Sequence, residues 1–177
     1  MAWLKQMLPD YDEVTRSLTG AWHLFLDRRD ALSFFNISYD GFWRSFAAII
    51  LVLPFYTCIA LAERARLLSD SLVDDSFDGN IFLLNKALAL ALDWIMLPLI
   101  LALVARPLGV GRSYVTYVVA RNWGAVIAVA PFGLLSLLSL LGLVSEAVAG
   151  LIALIILVVV VRYSYLIARR ALGVDIA

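Results

Sequence analysis

Asp93 stands near the middle of the apolar run ALALALDWIMLPLILALV at 87–104. It is the one acid in that run, and its surroundings limit its chemistry. An ionised carboxylate at the centre of a bilayer costs about 2.5–3.5 kcal/mol even on a lenient scale. Such a group must pair, face the protein interior or keep its proton. A paired or hydrogen-bonded Asp93 ties helices together. A protonated Asp93 suits proton-coupled transport. Arg121 is its natural partner if the helix after Ser113 enters the membrane. If that segment lies on the surface, Arg121 is an anchor that snorkels to the interface, with Asn122 and Trp123 marking the boundary. The surface arrangement is the one expected for 113–121. Asp93, Arg121 and Asn122 together form the candidate intramembrane polar site.

Other chemistry is poorly provided for. The chain holds one cysteine, Cys58, and one histidine, His23, so a His/Cys zinc set cannot be assembled. No phosphate loop, nucleophile elbow or pair of intramembrane acids is present in the sequence. No catalytic, metal-binding or cofactor-binding residue is expected, and no enzymatic activity. His23 reads as a solvated or hydrogen-bonded residue on a polar helix face. Pro54, Pro98 and Pro131 fall within three different apolar segments, as in the broken helices of transporters, although proline is also ordinary in membrane helices.

The elements that must position these residues follow from composition. Of 177 residues, 63% are hydrophobic and 16% charged, against about 45–50% and ~25% for a soluble domain. Mean hydropathy is +0.93. Water cannot be the solvent for this much apolar surface, so lipid must be. With 14 basic and 14 acidic residues the net charge is zero, which does not suggest a nucleic-acid partner. A helical span needs ~20 mostly apolar residues. Four stretches qualify: 45–62, 82–104, 122–143 and 147–166. A split at Pro131 would yield five, but leaves 132–143 too short. The expected fold is an all-α integral membrane bundle of four helices, with five as the alternative. Asp78-Gly79-Asn80 caps the second span. Ala87 and Ala91, and Ala149 and Ala153, permit close internal packing.

The chain divides into an amphipathic segment at 1–44, a bundle at 45–168 and a tail at 169–177. In the first segment Asp12 is the expected N-cap. Val14, Leu18, Trp22 and Phe25 recur at helical spacing on one face. A second cluster follows with Phe34, Phe35, Phe42 and Trp43. Trp22, Phe25, Phe34, Phe35, Phe42 and Trp43 are the candidate membrane-surface contacts. Packing of this face on the protein's own spans is the competing reading. The first long apolar segment starts only after about forty residues, so it is expected to stay in the mature protein.

Basic residues set the expected orientation. Lys5, Arg16, Arg28, Arg29 and Arg44 precede the first span. Arg106, Arg112 and Arg121 lie around the second loop, and Arg162, Arg169 and Arg170 near the end. The opposite side receives Arg64, Arg66 and Lys86, and an acidic loop with Asp70, Asp74, Asp75 and Asp78. The asymmetry is expected to place both termini in the cytoplasm.

Four short stretches and one proline carry a family likeness: AWHLFLD at 21–27, DGFWRS at 40–45, RNWG at 121–124, ARRALG at 168–173, and Pro131 in the third span. On these the chain resembles the Yip-type superfamily of small polytopic membrane proteins, in particular its short bacterial members. The familiar members have five spans and a carboxyl terminus on the far side, whereas this chain reads with four and a cytoplasmic tail. The resemblance implies an inner-membrane protein without defined activity. The eukaryotic members look like oligomerising trafficking factors. The expected function is a membrane scaffold or accessory subunit. Its partners are the lipid bilayer and other membrane proteins or further copies of itself. A small transporter or channel component built on Asp93 is the rival.

Overall fold

The computed structural model describes residues 8–69, 78–105, 107, 109 and 111–173, and its regular structure is entirely helical. Lys5, Asp70, Asp74, Asp75 and Arg106 lie outside the described residues. Four stretches are long and apolar enough to cross a membrane: Tyr39–Ser69, Gly79–Val104, Gly111–Leu140 and Glu146–Leu172. The chain is an all-α, multi-pass membrane bundle.

Helix α1 (Tyr11–Phe25) starts at Asp10, not Asp12. Asp10 is extended, and its carboxylate accepts the Glu13 N–H at 2.7 Å. Asp12 instead joins Glu13 in the first turn, where acids complement the helix dipole. The buried face of α1 is Glu13, Ser17, Gly20, Ala21 and Leu24. That face is smaller and more polar than the stripe read from sequence. Val14, Leu18 and Phe25 flank it, and Trp22 stays exposed. Small residues let the helix approach its neighbours closely.

Helix α2 (Tyr39–Ser45) is capped by Ser38, whose hydroxyl accepts the Gly41 N–H at 3.1 Å. It runs through a 3₁₀ turn (Phe46–Ala48) into α3 (Ile49–Ser69). The first span is therefore longer than 45–62 and absorbs part of the amphipathic segment. Pro54 lies inside α3 and does not end it. Helix α4 (Gly79–Val104) is capped by Asp78, which accepts from Asn80 and Ile81 as expected.

Helix α5 (Tyr114–Leu140) is continuous through Arg121. The segment 113–121 is thus not a separate surface piece, and Arg121 lies on the span itself. The physical reason is a partner that local sequence does not reveal. Val119 and Ala120 are buried in one cluster with Ala21 and Leu24 of α1. The first turns of α5 find their apolar contacts in α1 rather than in the bilayer surface. Helix α6 (Glu146–Leu172) is capped by Ser145 and ends at Gly173. The left-handed φ of 67° there lets the Gly173 N–H reach the Arg169 carbonyl.

Helix α5 is the centre of the bundle. Asn122 meets Ser45 and Gly133 meets Phe55, so α3 runs parallel to it. Tyr163 lies at Gly124 and the Leu172 carbonyl at Ser113, so α6 runs antiparallel. Helix α1 crosses the same end of both. Helix α4 is the least engaged, with only Trp94 and Pro98 buried. Ala87 and Ala91 face outward, contrary to the internal packing expected of them. Ala149 and Ala153 are half-buried beside α5 residues Phe132 and Leu135.

Candidate intramembrane polar site

Arg121 and Asp93 are brought together. Nη2 of Arg121 donates to Oδ2 of Asp93 at 2.9 Å, linking α5 to α4. The two partners differ in environment. The Arg121 side chain is 16% exposed and that of Asp93 67%. Arg121 is held from behind by the Trp94 ring, its guanidinium carbon 5.3 Å from the ring centroid, a favourable cation–π placement. Asp93 is on the flank of α4, so its free side faces out of the bundle.

Helix geometry locates the pair. Helices α4, α5 and α6 have 26, 27 and 27 residues, or about 40 Å each at ~1.5 Å per residue. This exceeds a hydrocarbon core of ~30 Å. Arg121 is about 10 Å along α5 from Tyr114. The pair therefore lies off the centre of the bundle, toward the end where α1 packs. Eleven further residues of α4, almost all apolar, continue past Asp93 in that direction.

A cavity of about 250 Å³ adjoins the pair, lined by Asp93, Trp94, Arg121, Gly124, Tyr163 and Ser164 among others. Nη1 of Arg121 and Nε1 of Trp94 are buried without a hydrogen-bond partner. The site thus combines one cation, one acid and spare donors in a mostly apolar wall. Its chemistry is ion pairing and hydrogen bonding. Among the described residues no group of three His, Cys, Asp or Glu is placed to hold a metal.

Asn122 does not join them. It is fully buried and its amide donates to Ser45 Oγ at 3.0 Å. Ser45 in turn donates to the Phe42 carbonyl at 2.7 Å. This chain fastens the start of the first span to α5. The six aromatic residues assigned to the membrane surface also divide. Trp22 and Trp43 are exposed. Phe25 stacks edge-on against Tyr163, Phe34 against His23, and Phe42 packs near Tyr114. Phe35 is buried in the core and is not a surface contact. It packs inward because Gly20 leaves room for its ring. His23 has Nε2 3.5 Å from Arg28 Nη1 and Nδ1 3.3 Å from Asp30 Oδ2, within the solvated or hydrogen-bonded role expected of it.

Three tethers that local sequence did not reveal hold α1 in place. Buried Glu13 accepts from Arg44 at 3.0 Å and from Asn36 at 3.1 Å, closing the loop between α1 and α2. The Tyr163 hydroxyl donates to the Ala21 carbonyl at 2.8 Å. Arg170 donates twice to Asp27 Oδ1, at 2.9 and 2.7 Å, and once to its carbonyl. Beside these bonds the Asp27 carboxyl is held below the usual aspartate range, first by the Arg170 hydrogen bond. On the opposite end, Lys86 pairs with Glu63 at 2.6 Å and lies over the Phe82 ring.

Comparison with protein families, characterised proteins and solved structures finds no match to the chain.

Proposed function

We propose that this chain is a bacterial inner-membrane protein with both termini in the cytoplasm. It works without catalysis, as a scaffold or accessory subunit of a membrane complex. The observation that carries this reading is the outward half of the Asp93–Arg121 pair. A carboxylate two-thirds exposed on the flank of the least packed helix points out of the bundle. A polar group on a neighbouring membrane helix would complete its hydrogen bonding. The Yip-type resemblance fits the same reading, with the difference that those familiar members have five spans.

The cavity beside the pair favours a second reading, a small transporter or channel component that uses Asp93. One substitution separates the two. Asp93→Asn keeps the hydrogen bonding and removes the charge. In the scaffold reading, the full chain purified in mild detergent retains its partner with Asp93→Asn and loses it with Asp93→Leu. Retention of the same partner by Asp93→Leu overturns the reading. Intact assembly with abolished proton-coupled uptake in Asp93→Asn moves the assignment to the transporter.

A further inference from the structure

An apolar groove of about 460 Å³ runs down the outside of the bundle between α5 and α6. Pro131 and Leu134 form part of one wall, Ile155 and Val159 part of the other. Leu134, Ile155 and Val159 are exposed, so the groove opens to the bilayer. Its volume is within the ~300–1,000 Å³ of small-molecule sites. Trp22 and Phe25 of α1, stacked with centroids 5.1 Å apart, close one end.

Positive charge gathers at that closed end. Arg162 is one turn beyond Val159 on α6, and its Nη1 donates to the Phe25 carbonyl at 3.3 Å. Asp27, two residues on, takes Arg170 directly and feels Arg169 and Arg162 as well. Arg170 binds this aspartate, and Arg162 and Arg169 add positive charge near it. Arg162 is sixteen residues from Glu146 along α6, about 24 Å. That is within snorkelling reach of the boundary of a ~30 Å core. The groove therefore joins an apolar channel inside the membrane to a cationic mouth at headgroup depth.

We propose that the groove holds an anionic phospholipid. One acyl chain lies along α5 and α6 beneath Trp22 and Phe25, and the phosphate sits on Arg162. A neutral lipid or an apolar helix would fill the walls equally well but would not complement the arginine cluster. One arginine near a membrane surface favours an anionic headgroup by about fivefold.

The test uses the full chain in mild detergent, equilibrated with equal amounts of phosphatidylglycerol and phosphatidylcholine. Bound lipid is counted by native mass spectrometry. The expected result is phosphatidylglycerol retained over phosphatidylcholine by about fivefold. Arg162→Gln brings the ratio close to parity while lipid is still retained. Val159→Phe, which fills the groove, removes both lipids. Equal retention by the unaltered protein overturns the proposal. So does a preference that survives Arg162→Gln, or bound phosphatidylglycerol that survives Val159→Phe.

Discussion

Asp27 holds a left-handed backbone conformation, φ 56°, just past the end of α1. Aspartate tolerates that region better than most residues, but it is still unfavourable. Three hydrogen bonds from Arg170 offset the strain and dock the helix on α6. Because the folded carboxyl is depressed below its ordinary value of 3.8, the sign of its pH effect is set. Its contribution is fully present above the unfolded pKa and is lost as pH falls through the lower, folded one. Docking of α1 is therefore expected to hold from neutral pH down to the ordinary aspartate value and to loosen below it. Spin labels at Arg16 and Val161 in a Cys58→Ala background would report this as a distance that broadens only in strong acid. A step near pH 6, or the same acid step in Asp27→Asn, would count against it. At this scale Asp93 was legible in the sequence, because an acid in an apolar run stands out. Its pairing with Arg121 was legible only as the alternative to a surface anchor. The residues around Arg121 read as a surface turn until α1 is known to cover them.

Between the spans, the glycine with the tightest contact to a neighbouring backbone is Gly133. A Cβ there would lie 2.5 Å from Phe55 Cβ and 2.6 Å from Phe55 Cα, so α3 itself would have to move. At Gly124 the nearest atom is Ile167 Cδ1, at 2.7 Å, the end of a side chain that can turn away. Alanine in either helix returns about 0.5–1 kcal/mol of conformational entropy. Gly133→Ala is expected to destabilise the bundle by about 1–3 kcal/mol, the usual penalty of overpacking. Gly124→Ala should lose less. Unfolding in mixed detergent micelles compares them, and a larger loss at Gly124 would contradict the backbone-contact account. The four spans themselves were legible because membrane length and composition are properties of a single segment. Contacts such as Glu13 with Arg44, or Asp27 with Arg170, join residues 31 and 143 apart. No local periodicity links such pairs. The same limit explains α1: its apolar stripe was visible, but the buried face lies beside it, where Gly20 and Ala21 allow contact.

For the whole molecule, two independent observations concern the number of crossings. Four helices qualify as spans, and an even number returns the chain to its starting side. Separately, α1 is bonded to the C-terminal half of α6 through Ala21–Tyr163 and Asp27–Arg170. The first and last helices therefore meet at one end of the bundle, an arrangement a five-span chain would not produce. That end carries Arg16, Arg28, Arg29, Arg44, Arg112, Arg121, Arg162, Arg169 and Arg170. The other carries Arg64, Arg66 and Lys86, two of them set against acids in Arg66–Glu146 and Lys86–Glu63. Arginine and lysine bias of this kind orients membrane proteins with the richer end inside. In a Cys58→Ala background, an impermeant maleimide should label Ser69→Cys and Ser145→Cys from outside intact cells. Arg16→Cys should label only after permeabilisation. Labelling of Arg16→Cys and Ser145→Cys from the same side would break the four-span count. Labelling of all three with the sides exchanged would keep the count and reverse the orientation. The fold and the charge bias are thus tested separately, because the first depends on helix contacts and the second on the membrane alone.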